Sequence, residues 1–264
     1  MTRRRVLAAL LLVLAVAWAG PVHAEEADLF VSTAVSLKEP LLAAFEEYAG
    51  GDFGNRGIPP PMRIYTGGSG ILAQQILRGA PSDLFLSASS REIERLQDAG
   101  LVGSDGTCAL AGNTLVVVTP LDGQRLDGLH HLADARFQRV GVANPRTAPL
   151  GRYARQALES ANLAARLEDK LIPAEHARQV IDYVSRGEVD VAIVYATDAQ
   201  RFADRVSIAL EIDPNLHQPI VYWAALLEDE PARFWARRLF EFLCSDAGRA
   251  RFAESGLTPW PGQR

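Results

Sequence analysis

The stretch Met62-Arg-Ile-Tyr-Thr66-Gly-Gly-Ser-Gly70-Ile-Leu-Ala-Gln-Gln-Ile-Leu-Arg78 changes character at its glycines. Residues 62–66 are a short run bounded by breakers and read as a β-strand, while Gly70 to about Arg78 reads as a helix. The unit then recurs: Asp83-Leu-Phe-Leu-Ser87 is a strand and a helix runs from about Arg91 to Asp98. Upstream, Leu29-Phe-Val-Ser-Thr33 precedes a helix from about Leu37 to Tyr48, in which Leu37, Leu41, Leu42 and Phe45 recur at helical spacing. Gly50 to Pro61, rich in Gly and Pro, is a surface loop.

The rest of the chain continues the alternation. Leu115–Thr119 and Arg139–Ala143 read as strands, the second leading to a helix from about Gly151 to Ser160. A further helix spans Glu175 to Ser185, with Ala177, Val180, Ile181 and Val184 on one face, and Val191-Ala-Ile-Val-Tyr195 is a strongly apolar strand. Ile220 to Leu227 is a strand and Pro231 to Leu243 a helix. Such alternation predicts parallel sheets covered on both faces, the doubly wound α/β class.

Composition narrows the function. The 264 residues are 48% hydrophobic and 22% charged, with a net charge of −5, and the mean hydropathy is +0.01. That is globular composition, and an acidic chain lacks the basic footprint of a nucleic-acid binder. Arg3, Arg4 and Arg5, the apolar run Val6–Gly20 and the small-residue site Val22-His-Ala24 read as a secretory signal cleaved after about Ala24. The run is too short to span a bilayer. Removing residues 1–24, with three Arg and no acid, takes the charge to about −8 and leaves an exported, soluble chain.

Cys108 and Cys244 either form one disulfide or sit as two separate buried thiols. No histidine has the i, i+4 or Cys-partnered spacing of a zinc site, and His130 and His131 are adjacent, so no cation site is expected.

In α/β sheets ligands bind beyond the carboxyl ends of the strands, where helix N-termini also point. Those ends carry Thr33-Ala-Val-Ser36, Thr66-Gly-Gly-Ser-Gly70, Thr147-Ala-Pro-Leu-Gly151, Pro173-Ala-Glu175 and Tyr195. Each serine alone is an ordinary helix cap. Several hydroxyls and free N–H groups converging on one cleft would instead hold a small anion, each bond to the charge contributing roughly 1.5–3 kcal/mol. An enzyme reading fares worse: Gly67-Gly-Ser-Gly-Ile71 lacks the last glycine of a nucleophile elbow and the lysine of a phosphate loop. Asp83 and Asp198 read as strand-edge or capping residues, and no Ser–His–Asp set stands out.

An ordered set of segments resembles the periplasmic molybdate-binding proteins of ABC transporters: Phe30–Leu37, Gly68–Ile76 with Gly79–Phe85, Gly112–Val118, Asn144-Pro145 with Pro149–Tyr153, and Ile193–Asp198. The resemblance covers essentially the whole mature chain and implies a two-lobed type II periplasmic binding-protein fold. Each lobe is then a mostly parallel sheet flanked by helices, with the ligand in the cleft. Residues 25–109 with 205–264 would form lobe 1, and residues 110–204 lobe 2.

By the same resemblance the protein would capture molybdate, and tungstate with it, and deliver it to an ABC permease as a periplasmic monomer with no cofactor. The family's binding set falls on Ser36, Ser69, the N–H groups of Leu150 and Ala177, and Tyr195. Leu150 stands where the family often has Ala, Thr33-Ala34-Val35 replaces an Ala-rich run, and Arg146 and Arg152 bring charge near a site that is usually neutral. A homologous binder of another oxyanion or small solute is the alternative, and an exported α/β hydrolase using Ser69 or Ser36 the remote one. The expected topology also returns Cys108 and Cys244 to the same lobe, which would let them approach the ~5.5–6 Å Cα separation of a bridge while leaving two separate thiols as the alternative.

Overall fold

The computed structural model describes residues 28–54, 57–227 and 234–260. The signal sequence expected over residues 1–24 lies outside them. Two five-stranded mixed sheets are flanked by helices.

The first sheet has the order β2-β1-β3-β10-β4, built from β1 (Leu29–Ala34), β2 (Met62–Gly67), β3 (Leu84–Ser87), β4 (Thr107–Asn113) and β10 (Ile220–Leu226). Its helices are α1 (Lys38–Ala49), α2 (Ser69–Leu77), α3 (Ser90–Asp98), α8 (Phe234–Cys244) and α9 (Asp246–Glu254). The second has the order β7-β6-β8-β5-β9, from β5 (Leu115–Pro120), β6 (Val140–Ala143), β7 (Leu171–Ala174), β8 (Val191–Tyr195) and β9 (Val206–Glu211). Helices α4 (Pro149–Ser160), α5 (Ala164–Leu167), α6 (Ala177–Ser185) and α7 (Ala196–Arg201) belong with it.

The strand–helix units pair in parallel, β1 with β2 and β3, and β6 with β7 and β8. The strands that depart from the expected mostly parallel arrangement are β5 and β10. Each lies where the chain has passed between the sheets, and each runs antiparallel to both its neighbours. Strand β8 is buried over its whole length, as an interior strand covered on both faces must be, and burying each such Val or Ile contributes about 1.5–3 kcal/mol.

We propose the two-lobe division with its first crossing at Thr114, between β4 and β5, and its second after Glu211. The boundary expected at 204/205 falls before β9, yet β9 pairs with β5 in the second sheet from Val206 to Glu211. As the edge strand of its sheet it is mostly half-buried, so a search for apolar runs passes over it.

Cys108 and Cys244 form a disulfide with Cα atoms 5.9 Å apart. It ties β4 to the end of α8 within the first lobe. In the chain-entropy model a loop this long contributes up to ~4–5 kcal/mol by restricting the unfolded chain.

Candidate functional site

Ser36, Ser69, Leu150, Ala177 and Tyr195 line one cavity, with His176 and backbone of Gly67, Gly68 and Ala88 completing its wall. All five expected residues are therefore brought together. The cavity is small, with only about 10 Å³ open to the centre of a water-sized sphere, so a ligand of a few atoms would lie against its walls. A larger hollow of about 330 Å³ behind α4 has mostly apolar walls that include Leu158, Ala164 and Leu171, with Arg155 and Glu168 beside them.

Four helices begin at the cavity. A 3-10 turn over Val35–Leu37 carries Ser36 into α1, and Ser69 opens α2. Leu150 is the second residue of α4, after Pro149, and Ala177 is the first of α6. At these positions no preceding turn supplies a carbonyl, so the N–H groups of Leu150 and Ala177 have no intrahelical partner. Pro149 suits the first helical position because it lacks the N–H that would go unused there. Gly151 is required for packing: a Cβ there would lie 2.2 Å from the Ala143 carbonyl oxygen.

The hydroxyls are held in defined roles. Ser69 Oγ accepts the Ala88 N–H at 3.1 Å, which leaves its own proton to donate elsewhere. The Tyr222 hydroxyl accepts from Asn113 Nδ2 at 2.9 Å; burial raises its pKa, and the nearby Ser36 and Asn113 side chains oppose that shift. The Tyr195 hydroxyl is buried and has no hydrogen-bond partner among the described residues. Burial raises its pKa well above the usual tyrosine value, so it remains a neutral phenol. His176 Nδ1 accepts the Gln179 N–H at 3.2 Å, which places the proton of a neutral ring on Nε2. A buried polar atom without a partner is costly, and this one lies in a cavity wall.

The two lobes meet across this cleft. Gly70 N–H donates to the Thr147 carbonyl at 3.0 Å, and the Tyr153 hydroxyl donates to the Ala88 carbonyl at 3.3 Å. Glycines make the approach possible, since a Cβ on Gly68 or Gly70 would sit 2.7 or 2.8 Å from Thr147 O. Arg152 on α4 reaches the buried Glu92 of α3 at 2.8 Å and Ser89 Oγ at 3.2 Å.

Arg146 is exposed and Arg152 is paired with Glu92, and neither lines the cavity. Arg152 is still close enough for its charge to oppose the upward push of burial on the Tyr195 pKa. The wall offers hydroxyls, N–H groups and one imidazole, with no carboxylate and no Lys or Arg. Tyr222 and Asn113 were missed by sequence reasoning, because their role depends on β4 and β10 lying side by side.

The chain belongs to the bacterial extracellular solute-binding protein family, whose model matches residues 29–258. That family is one of solute-binding proteins, not a class of enzymes. The molybdate-binding protein ModA of Escherichia coli (strain K12) is 30% identical over 223 residues, covering 81% of this chain and 83% of that one. Among solved structures, the periplasmic molybdate-binding protein of Azotobacter vinelandii superposes with a TM-score of 0.73 at 22% identity, covering 89% of this chain and 100% of that one. The sulfate-binding protein SubI from Mycobacterium tuberculosis H37Rv does so at 0.71 and 17%, covering 88% of this chain and 86% of that one. At those identities the two structures share a fold, and the chemistry must be argued from the site. No helix among the described residues is long and apolar enough to cross a membrane.

Proposed function

We propose that the protein is an exported binder of a tetrahedral oxyanion, molybdate and with it tungstate, which it delivers to an ABC permease in the membrane. Convergence carries this reading: Ser36, Ser69, the first N–H groups of α4 and α6, and the unpartnered Tyr195 hydroxyl surround one small cavity that holds no carboxylate. Donors without counter-ions suit a dianion, because aligned N–H groups at helix starts present positive potential. Bonds to a charged acceptor contribute roughly 1.5–3 kcal/mol each. Tungstate shares charge and shape with molybdate, so the same cage would take both. Similarity to the ModA protein at 30% identity supports molybdate over other anions. The likeness in fold to a sulfate-binding protein keeps another oxyanion as the second reading.

A thermal-shift series with molybdate, tungstate, sulfate and phosphate tests the assignment. A ligand bound only by the folded state stabilises by about 2.7 kcal/mol at a hundredfold excess over Kd. Molybdate and tungstate should raise the melting temperature well above sulfate and phosphate. Equal shifts with sulfate and molybdate would remove the molybdate assignment while keeping the oxyanion class.

A further inference from the structure

On the second lobe, away from the cleft, Asp127 and the 3-10 turn Leu129–Ala133 bring a carboxylate and two imidazoles together. One ligand atom from each of Asp127, His130 and His131 lies within 4.8 Å of the others. His131 Nε2 is 2.6 Å from Asp127 Oδ1, and His130 Nε2 is 3.9 Å from the same oxygen. Tetrahedral zinc with bonds of ~2.0–2.1 Å needs donors about 3.4 Å apart. That value lies between the two, within reach of small side-chain movements.

A second observation concerns the other ring nitrogen. His131 Nδ1 is 2.9 Å from Asp134 Oδ2, and Arg136 Nε stands 3.5 Å from that carboxylate. A metal-bound imidazole commonly gives its remaining N–H to a carboxylate, which fixes the tautomer and turns the free nitrogen to the ion. A neutral His131 has one N–H for two facing carboxylates. Its Nδ1 stands at hydrogen-bond distance from Asp134 and its Nε2 from Asp127, and a metal ion would take the place of the hydrogen between Nε2 and Asp127. Gly128 gives the His130 ring its place, since a Cβ there would lie 2.7 Å from His130 Nδ1. The adjoining hollow of about 400 Å³ adds Glu211 and Asp213 to its wall, so the surroundings are acidic.

We infer that Asp127, His130 and His131 form a binding site for a divalent transition-metal ion of the zinc class. Asp134 is the carboxylate that orients His131. Three protein ligands leave a fourth position open to water or an outside group. Histidine spacing alone did not reveal the site because its third ligand is an aspartate.

The test is calorimetric titration of untagged, chelator-stripped mature protein with Zn²⁺, with Co²⁺ absorption as a probe of geometry. One Zn²⁺ should bind per chain with micromolar or tighter affinity, and Co²⁺ should give the intense visible bands of a tetrahedral site. Asp134→Asn should weaken zinc binding about 10–100-fold, and His130→Ala/His131→Ala should abolish it. An unchanged melting temperature without metal shows that these variants fold. A wild-type protein that takes up no zinc at micromolar concentration would overturn the proposal, as would a double variant that binds as well as the wild type.

Discussion

At Ser69 the hydroxyl oxygen already accepts from Ala88, so a bound anion would receive the remaining proton. Ser69→Ala should weaken molybdate binding by about 1.5–3 kcal/mol in calorimetric titration, with the ligand-free melting temperature little changed. Normal affinity with a lowered melting temperature would reduce Ser69 to a helix cap. Buried Asp198 gives a second prediction. Its Oδ2 has no hydrogen-bond partner among the described residues, and burial pushes its pKa from the usual 3.8 up to about 7, against the lowering influence of Arg201. Between about pH 4 and 7 the folded state keeps a proton that the unfolded chain has released, so this group makes stability fall as pH rises. Denaturant unfolding should therefore show Asp198→Asn gaining on the wild type across that window and levelling above it; a pH-independent difference would contradict the assignment. Ser36 and Ser69 were legible in the sequence because a hydroxyl between a strand and a helix has a fixed location. Tyr222 was not, since its place beside Ser36 depends on residues that lie far apart in the chain.

Helix α2 starts where the lobes touch, and its glycines separate local from long-range demands. Alanine is the better helix former by about 1 kcal/mol, so a purely local view makes Gly70→Ala neutral or stabilising. The Thr147 carbonyl, 2.8 Å from where that Cβ would sit, makes it an obstacle to closure. Gly70→Ala should keep or raise the ligand-free melting temperature while losing molybdate affinity, measured on the same preparation. Retained affinity would show that the lobes do not need this contact. Elements with strong periodicity, such as α1, α2 and β8, were readable within about one residue of their observed bounds. Strand β7 was not, because Leu171-Ile-Pro-Ala174 contains a proline, tolerated at a sheet edge. Strand β4 and helix α9 lack a clear apolar period and were also missed; α9 is started by Ser245, whose Oγ accepts the Gly248 N–H at 3.2 Å.

Across the whole molecule, the lobes are joined by the crossings around β5 and β10 and by contacts over the cleft. Arg152 with Glu92, Gly70 with Thr147, and Arg201 of α7 with Glu39 of α1 all link one lobe to the other. The alternation of strand and helix foretold parallel sheets covered by helices, and the family resemblance two lobes, but the mixed pairing arises from the passage of the chain between sheets, which local pattern does not encode. In this account the donors on the two lobes act together, so neither lobe alone completes the cage. The most direct measurement is the molybdate stoichiometry of ligand-stripped protein by equilibrium dialysis, beside a Ser36→Ala/Ser69→Ala variant shown to melt like the wild type. The account predicts one molybdate per wild-type chain and little or none on the variant at the same concentration. Absence of molybdate from the folded wild type, or equal uptake by the variant, would contradict it.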